Sequence, residues 1–323
     1  LPAPLVMETD VASYNYRYMY FPGDSQKFPW MIFYQSEANA SGMGPNWFGM
    51  NLDRVLGSAY WGMIDYLGES GGWPAKGWTQ GVFDISLRPK PAAWFIRSYF
   101  KPDEPVVHIG VVDADNSLLW NDVQVGTQTL SDHWNRKPGS HVDLYTFTNA
   151  DEVELLLNGR SLGRRANDTT DIERRNRILW DSIPYAAETL EARAYRKGAS
   201  KPIATHRIRT AAPATSLRVI PDTTAWKGDG LDLMHVVVEA VDKHGTVDPS
   251  ASQMLTFKVD GPAEIVGVMN GNLSSDELSV GDTRSLYMGA AQVILRSLPE
   301  PGTVTLTVSA PGLKSRPVTL STK

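Results

Sequence analysis

Carboxylates at the ends of apolar runs are the residues of this chain best suited to chemistry. Glu37 follows an almost unbroken apolar run at 30–34 and opens into a loop rich in glycine and aromatic side chains. Asp65 and Glu69 follow a second apolar run, and Tyr16 ends a short first one. A strand that ends on a carboxylate presents it at one edge of a sheet, where it can act as a nucleophile or bind hydroxyl groups.

Tryptophan is concentrated around these carboxylates. Six of the ten tryptophans lie in residues 1–101, and that segment contains no histidine. Flat indole faces stack on pyranose rings and carboxylates accept hydrogen bonds from sugar hydroxyls, so the combination favours a carbohydrate site. A segment without histidine cannot itself supply a Ser-His pair or a histidine-ligated metal.

A purely structural interpretation competes with the chemical one. From position alone, a glutamate at the end of a strand is more often a solvated rim residue than a nucleophile. Asp65 and Glu69 could simply hold a loop through bonds from side chain to backbone, and the tryptophans could belong to a core.

The apolar runs of the first segment are continuous rather than alternating, which indicates parallel strands covered on both faces. We expect strands near 10–16, 30–37 and 55–66, and a helix over 90–100 with Pro91 in its first turn. This order is typical of the last three strands and final helix of a (β/α)8 TIM barrel. Three strands cannot close a barrel of eight.

The remainder of the chain alternates short apolar and polar positions between turn signals. Asn158-Gly159 is a strong two-residue hairpin signal. We therefore predict a multidomain chain, in which the C-terminal part of a TIM barrel is followed by two immunoglobulin-like β-sandwiches. The predicted domains are 1–101, 102–212 and 213–323.

The chain resembles the C-terminal part of glycoside hydrolase family 2 enzymes, most of all bacterial β-galactosidases. The first three matching segments resemble the family's sixth, seventh and eighth barrel strands, and the last two resemble its later β-sandwich domains. The segments are DVASYNY (10–16), IFYQSEANASGMGPN (32–46), VLGSAYWGMIDYLGE (55–69), GWTQGVFDISLRPKPAAW (77–94), YTFTNADEVELLLNGRSLG (145–163) and FKVDGPAEIVGVMNGN (257–272).

The resemblance implies a role for each candidate site residue. Glu37 would be the nucleophile of a retaining glycosidase, and Tyr16 would hydrogen-bond its carboxylate. Trp61 would form the floor of the sugar subsite. Asp65 or Glu69 would hold sugar hydroxyls or the loop.

Further expectations follow from the same resemblance. Asn39 and Asn46 are weaker candidates for hydroxyl contacts, and the Trp61–Gly62 peptide is expected to be cis, which turns the indole beneath the sugar. We expect no metal and no cofactor. The ligand would be a β-galactoside or a related oligosaccharide.

The catalytic acid/base is the main departure from the family. Retention requires a second carboxylate about 5–5.5 Å from the nucleophile, which in this family is a glutamate on the fourth barrel strand. Strands one to five have no counterpart in the 323 residues. The sequence therefore predicts half of an active site, with the N-terminal part of the same enzyme as a partner and an isolated chain that is inactive.

Two other hypotheses stay open. The chain could be a truncated, non-catalytic product whose β-sandwiches bind carbohydrate or protein, and the Asn270-Gly271-Asn272 loop could then contribute to a distal subsite. Alternatively, the sugar could differ, as in family 2 β-glucuronidases and β-mannosidases. Residues 38–52 contain no arginine or lysine, which favours a neutral hexose because a glucuronide carboxylate requires a cation.

Composition excludes several further classes. The net charge of -5 argues against a nucleic-acid partner, and no apolar run is long enough to span a membrane. The absence of cysteine excludes disulfides and cysteine nucleophiles. We expect a bacterial periplasmic or extracellular protein, with the opening LPAPLVMETD belonging to a mature or excised portion of something longer.

Overall fold

The computed structural model describes residues 4–38, 43–50, 53–120, 123–223 and 226–323. A parallel sheet with short helices comes first along the chain, and two antiparallel β-sandwiches follow it. Within these ranges, no helix combines the length and the apolar character needed to cross a membrane.

The first region is a three-stranded parallel sheet in the order β1–β2–β3. Its elements are β1 (Val11–Asn15), α1 (Phe21–Lys27), β2 (Ile32–Ala38), α2 (Met43–Gly49), β3 (Val55–Tyr60), β4 (Tyr66–Leu67), β5 (Gly77–Trp78) and α3 (Pro91–Phe100), with 3-10 turns at Pro4–Glu8 and Tyr18–Tyr20. The central strand, β2, buries Phe33 against Phe21 and Tyr14. Continuous apolar runs predicted these strands, because a parallel strand is covered on both faces.

The parallel sheet is open. A TIM barrel is not evident in the described residues, since the three parallel strands have two edges and do not close. The structure confirms parallel strands in this region but not a barrel. The described residues are mostly β-structure.

Helix α3 connects the parallel sheet to the first sandwich. Pro91 stands in its first turn, as predicted, where the missing N–H has no partner to lose. Phe95 and Tyr99 are buried and pack with Phe147 of the sandwich in one small core.

The first β-sandwich contains the sheets β11–β8–β6–β7 and β10–β9–β12–β13. Its strands are β6 (Val107–Trp120), β7 (Val123–Ser131), β8 (His141–Thr148), β9 (Glu152–Leu157), β10 (Arg160–Ala166), β11 (Arg177–Pro184), β12 (Thr189–Tyr195) and β13 (Ala204–Arg209). Both sheets contribute to one core, for example Trp180 and Leu155. Asn158 and Gly159 have φ of 51° and 80° between β9 and β10, which confirms the predicted hairpin turn.

The second β-sandwich contains the sheets β14–β15–β19–β17 and β18–β16–β20–β21. Its strands are β14 (Ser216–Pro221), β15 (Leu233–Val241), β16 (Met254–Asp260), β17 (Ala263–Met269), β18 (Thr283–Ser285), β19 (Ala290–Ser297), β20 (Gly302–Ser309) and β21 (Val318–Thr322). Its core is closed in the same way, with Val293 of one sheet facing Phe257 and Leu306 of the other.

Two buried asparagines fix helix α3 to the first sandwich. The Asn176 side chain donates to the Ser98 hydroxyl at 3.0 Å and to the Ser98 main-chain oxygen at 3.3 Å. Asn167 holds Asn176 in turn, because its Oδ1 accepts from the Asn176 main-chain N–H at 2.8 Å. These bonds satisfy polar groups that would otherwise be costly to bury.

An aromatic stack forms a second connection. Trp94 of α3 stacks on His108 at 4.8 Å between ring centroids, and His108 stacks on His206 at 3.8 Å. The His206 Nδ1 accepts from the Ile109 main-chain N–H at 3.0 Å. Burial, together with neighbouring His108, lowers the pKa of His206 to about 3, so this ring is neutral at ordinary pH.

Candidate active site

Glu37 and Tyr16 meet at the carboxyl ends of two adjacent parallel strands. Tyr16 Oη donates to Glu37 Oε2 at 2.8 Å, and the Tyr16 main-chain N–H donates to the Glu37 main-chain oxygen at 2.8 Å. The predicted contact between these residues is therefore present. Tyr16 has φ of 56°, a conformation that is costly for a residue other than glycine. Two bonds to one neighbour oppose that cost.

The Tyr16 hydroxyl is fixed as a donor. Burial, followed by the hydrogen bond to Glu37, raises the pKa of Tyr16 above its ordinary value. A protonated phenol donates to a carboxylate and stabilises its ionised form. The arrangement therefore gives Glu37 an aimed lone pair and a fixed orientation, as a nucleophile requires.

A buried amide pair supports Glu37 from behind. Gln35 Nε2 donates to Asn46 Oδ1 at 2.6 Å and to the Glu37 main-chain oxygen at 3.2 Å. Both Gln35 and Asn46 are buried. Burial of Asn46 and its bond with Gln35 argue against the predicted hydroxyl contact. Asn39, the other predicted amide, lies outside the described residues.

Trp61 presents its indole beside the Glu37 strand. It is 41% exposed, and its main-chain N–H donates to the Ala38 main-chain oxygen at 2.7 Å, which ties the end of β3 to the end of β2. The Trp61–Gly62 peptide is trans, so the prediction of a cis bond is wrong. Gly62 turns the chain with φ of 70°, a conformation that favours glycine, and a Cβ on it would lie 3.0 Å from Trp78 Nε1.

Glu69 and Tyr66 extend the same surface. The Tyr66 hydroxyl donates to the Glu69 carboxylate, and the Tyr66 ring meets Trp61 edge-on at 6.4 Å between centroids. Burial, then the bond to Glu69, raises the pKa of Tyr66 to about 12. The charge of Glu69 also contributes to the raised pKa of Tyr16. Glu69 therefore lies close enough to Tyr16 for its charge to act on the phenol.

Asp65 has a different environment. It is buried, it accepts from the Gly81 main-chain N–H at 2.9 Å, and both of its oxygens lie 2.7 Å from Lys90 Nζ. Burial raises the pKa of Asp65, and Lys90 acts in the opposite direction. These contacts favour the loop-holding alternative for Asp65 over a contact with sugar hydroxyls.

Residues 66–78 form a hairpin that leaves the site. Strands β4 and β5 pair through Tyr66 with Trp78, and the Gly68 main-chain N–H donates to the Lys76 main-chain oxygen at 2.9 Å. Trp73, near the tip, is 77% exposed. We refer to residues 66–78 as the substrate hairpin.

Sequence reasoning missed three supporting side chains: Tyr66, Gln35 and Lys90. Tyr66 stands inside a motif that the sequence singled out, but a pattern of residue types does not reveal which carboxylate a phenol bonds. Gln35 and Lys90 act through contacts that only the folded chain creates. Across the described ranges, no group of three or more His, Asp or Glu side chains is arranged to hold a metal ion.

Two family models match the chain, and both matches lie in the β-sandwiches. Residues 217–319 match the model of the glycoside hydrolase family 2 C-terminal domain 5. Residues 139–200 match a domain of unknown function, DUF4982.

Curated relatives are glycosidases by name. The chain is 30% identical over 272 residues to the β-galactosidase BoGH2A of Bacteroides ovatus, a match that covers 83% of this chain and 29% of that protein. It is 28% identical over 246 residues to a β-glucuronidase of Formosa agariphila, covering 75% of this chain and 22% of the relative. The chain therefore spans less than a third of the length of these relatives.

A solved structure agrees over almost the whole chain. A glycosyl hydrolase family 2 member from Bacteroides cellulosilyticus superposes with a TM-score of 0.86 at 30% identity, covering 97% of this chain and 42% of that one. The β-rich fold and these matches define a protein of the glycoside hydrolase class. Within that class, the chain belongs to glycoside hydrolase family 2.

Proposed function

We propose that the chain is the nucleophile-bearing part of a retaining exo-β-galactosidase. In this proposal residues 1–101 are the last three strands and final helix of a (β/α)8 barrel, and residues 102–212 and 213–323 are immunoglobulin-like domains. The observation that carries it is the 2.8 Å bond from Tyr16 to Glu37 at the carboxyl ends of adjacent parallel strands, the edge at which barrel enzymes bind their substrates.

The proposed chemistry begins with Glu37. Its ionised carboxylate attacks the anomeric carbon, the bond to the leaving-group oxygen breaks, and a covalent glycosyl-enzyme forms that water later hydrolyses. Tyr16 holds the carboxylate in place through its hydrogen bond to Oε2. The exposed indole of Trp61 supplies an apolar face for the sugar ring, and Glu69 accepts from its hydroxyls.

The second catalytic carboxylate is proposed to come from a partner polypeptide that supplies the remaining barrel strands. Without an acid, loss of a poor leaving group slows on the order of 10²–10⁴-fold. Glu69 is a carboxylate on the same surface, bonded to Tyr66 beside Trp61, and it is therefore the first candidate if the chain proves sufficient by itself.

A neutral hexose is the preferred substrate class. The cations near the substrate hairpin are already paired: Lys76 with Asp276, Arg88 with Asp84, and Lys90 with Asp65. This pairing leaves them poorly placed to bind a sugar carboxylate.

A β-glucuronide is the second candidate, because of one residue. Arg17 directly follows Tyr16, is exposed, and forms no ion pair with any residue that the structure describes. A guanidinium at that position suits a carboxylate at the sugar C6. The Arg17→Gln variant separates the two substrates, since it should weaken only glucuronide binding.

The decisive experiment uses a substrate that needs no acid. A dinitrophenyl 2-deoxy-2-fluoro-β-galactoside has a leaving group that departs unprotonated, so the 323-residue chain should become labelled at Glu37. Intact mass and peptide mapping give the readout, and Glu37→Gln is the control. No label at Glu37, or equal labelling of Glu37→Gln elsewhere, would overturn the assignment and favour the non-catalytic hypothesis.

A turnover assay then tests whether the chain carries only half of an active site. With an aryl β-galactoside at high enzyme concentration, the isolated chain should show no turnover, and activity should return when the other barrel strands are co-expressed. Full turnover by the chain alone, abolished by Glu69→Gln as well as by Glu37→Gln, would instead assign the acid/base role to Glu69.

A further inference from the structure

The last sandwich touches the substrate hairpin through one loop, residues 270–276, which we call the bracing loop. The Lys76 main-chain N–H donates to the Leu273 main-chain oxygen at 3.0 Å. Lys76 Nζ donates to the Ser275 main-chain oxygen at 2.7 Å and lies 2.6 Å from Asp276 Oδ1. Residues almost 200 positions apart in sequence therefore hold the outer strand of the hairpin.

The bracing loop is itself rigidly seated on its sandwich. Asn270 is buried, its Oδ1 accepts from Arg284 at 3.0 Å, and its Nδ2 donates to the Ser285 main-chain oxygen at 2.8 Å. Arg88 of the parallel-sheet region donates to the Asn270 main-chain oxygen at 3.3 Å. The bracing loop thus connects the second sandwich to Arg88, in the segment that follows the substrate hairpin.

Gly271 allows this close approach. It has φ of 81°, and a Cβ on it would lie 2.5 Å from Asp84 Oδ2. Any side chain there would push the bracing loop away from the parallel-sheet region. The Asn270-Gly271-Asn272 sequence is therefore more than a turn, because its glycine is required by a contact with another part of the chain.

Trp73 is the exposed aromatic that this arrangement presents. Lys76 Nζ lies 5.5 Å from the centroid of its ring, which is a cation–π distance, while 77% of the residue surface is exposed. The lysine that orients the ring is the same residue that the bracing loop holds. One face of the indole is thereby supported and the remaining surface is open to a ligand.

We propose that the substrate hairpin and the bracing loop form a distal subsite, in which Trp73 stacks on the second ring of a β-linked oligosaccharide. The base of the hairpin contacts Trp61 through Tyr66, and Trp73 lies toward the outer end of the same hairpin. Asp276 and Lys76 supply polar groups for hydroxyls beside the indole. This subsite rests on the proposed function, since it adds a second sugar contact to the site at Glu37.

The contacts that join the bracing loop to the parallel-sheet region differ in how much they contribute to the position of the hairpin. The Lys76–Asp276 pair is partly exposed, with Asp276 75% exposed, so it contributes little on its own. The main-chain bond from Lys76 to Leu273 and the close packing at Gly271 determine where the hairpin lies. Asp276→Asn should therefore change ligand binding less than Gly271→Ala.

The test measures sugar binding by the 323-residue chain, which needs no catalysis. Ligand-observed NMR titrations compare methyl β-galactoside, which has one ring, with β-1,4- and β-1,6-linked galactobiose, which have two. We expect one of the disaccharides to bind about tenfold more tightly than the monosaccharide, a gain typical of one aromatic contact. Trp73→Ala should abolish that gain, and Trp73→Phe should retain most of it.

Trp30 provides the matched control. It is 68% exposed and precedes β2, so it lies at the opposite end of the strand from Glu37. Trp30→Ala should leave both affinities unchanged. Gly271→Ala should reduce only the disaccharide gain and speed hydrogen exchange at the Lys76 amide, which reports detachment of the hairpin from the bracing loop.

The outcomes separate this subsite from the proposed function. Equal binding of one and two rings, or a disaccharide gain that survives Trp73→Ala, overturns the distal subsite while leaving Glu37 unaffected. Binding of methyl β-galactoside that is insensitive to Trp61→Ala contradicts the proposed sugar site instead. A gain that is lost in both Trp73→Ala and Trp30→Ala would also overturn the subsite, because it would indicate non-specific stacking.

Discussion

In each β-sandwich both sheets contribute side chains to one closed core, whereas the parallel sheet leaves large apolar side chains in solvent. Trp180 and Phe257 are almost fully buried in their sandwiches. Leu56 of β3 is 67% exposed, and Trp30, just before β2, is 68% exposed. The strands of each sandwich therefore cover one another's apolar faces, although Leu231 and Leu278 between strands of the second sandwich are also exposed. The parallel sheet covers its faces only in part.

The comparison teaches that the large cores and the candidate site lie in different regions. Glu37, Tyr16 and Trp61 lie in the region with the smaller cores, at the carboxyl ends of the three parallel strands. That region is supported from outside by Phe147 of the first sandwich and by the bracing loop of the second. The two sandwiches thus support the region that carries the candidate site.

The largest expected effect is in a sandwich core. Trp180→Ala removes a buried indole that also donates to the Thr146 hydroxyl at 3.0 Å, and we expect it to lower the free energy of unfolding by about 3–5 kcal/mol. Urea denaturation followed by circular dichroism measures the loss. Trp30→Ala, in the open region, should cost less than about 0.5 kcal/mol. Similar losses for the two variants would contradict the comparison.

The second largest effect is expected at the Lys90–Asp65 pair of the parallel-sheet region. Lys90→Met leaves the buried Asp65 without its cation, and we expect a loss of about 2 kcal/mol, because a charged hydrogen bond is broken while Lys90 itself is partly exposed. The expected sign of local damage is faster hydrogen exchange at the Gly81 amide, with amides of the sandwich cores unchanged. Uniformly faster exchange across the chain would show that the regions unfold as one unit.

The free energy of unfolding should depend on pH through His206, which lies where helix α3 meets the first sandwich. His206 remains neutral in the folded chain down to about pH 3, whereas an unfolded histidine takes up a proton near pH 6.5. The unfolded state therefore binds more protons between these values, and stability falls as the pH is lowered through this window, by about 1 kcal/mol from pH 6.5 to 5.5. His206→Gln, which keeps an acceptor for Ile109, should flatten this slope. An unchanged slope would assign the acid sensitivity to another group.

The smallest effect is expected on the open strand. Leu56→Ser replaces an apolar side chain that is already in solvent, so the free energy of unfolding should change by less than about 0.5 kcal/mol. Leu255→Ser, at a fully buried position of the second sandwich, is the control and should be severely destabilising. A large loss from Leu56→Ser, measured by thermal unfolding, would mean that β3 is covered in solution.

Periodicity alone predicted much of the fold. Continuous apolar runs predicted the three parallel strands, and alternating runs with Asn158-Gly159 predicted a hairpin of the first sandwich, because side-chain burial on the two faces of a strand is a local property. The contact of Tyr16 with Glu37 was instead implied by the family resemblance, which matches the two residues to the ends of adjacent barrel strands. Each of these inferences depends on neighbours in sequence or on neighbouring strands.

The remaining features depend on distant contacts. The glycine-rich segment after Glu37 was expected to be a loop, yet it contains helix α2, whose Gly44 packs so closely on Phe95 that a larger residue would collide with the ring. Gly and Pro oppose a helix by propensity, and tertiary packing overrides that preference. The resemblance implied that Asp65 would hold sugar hydroxyls or the loop, and its bond with Lys90, twenty-five residues away, favours the loop.

The asparagine pair that joins helix α3 to the first sandwich has a consequence for recombining this chain with its relatives. A crossover at the predicted boundary near residue 101 would separate Ser98 from Asn176, and with it the partner of a buried side-chain amide. A chimera that carries helix α3 together with the sandwich keeps this bond. Helix α3 should therefore be exchanged together with the first sandwich, although the sequence prediction placed it in the same domain as the parallel sheet.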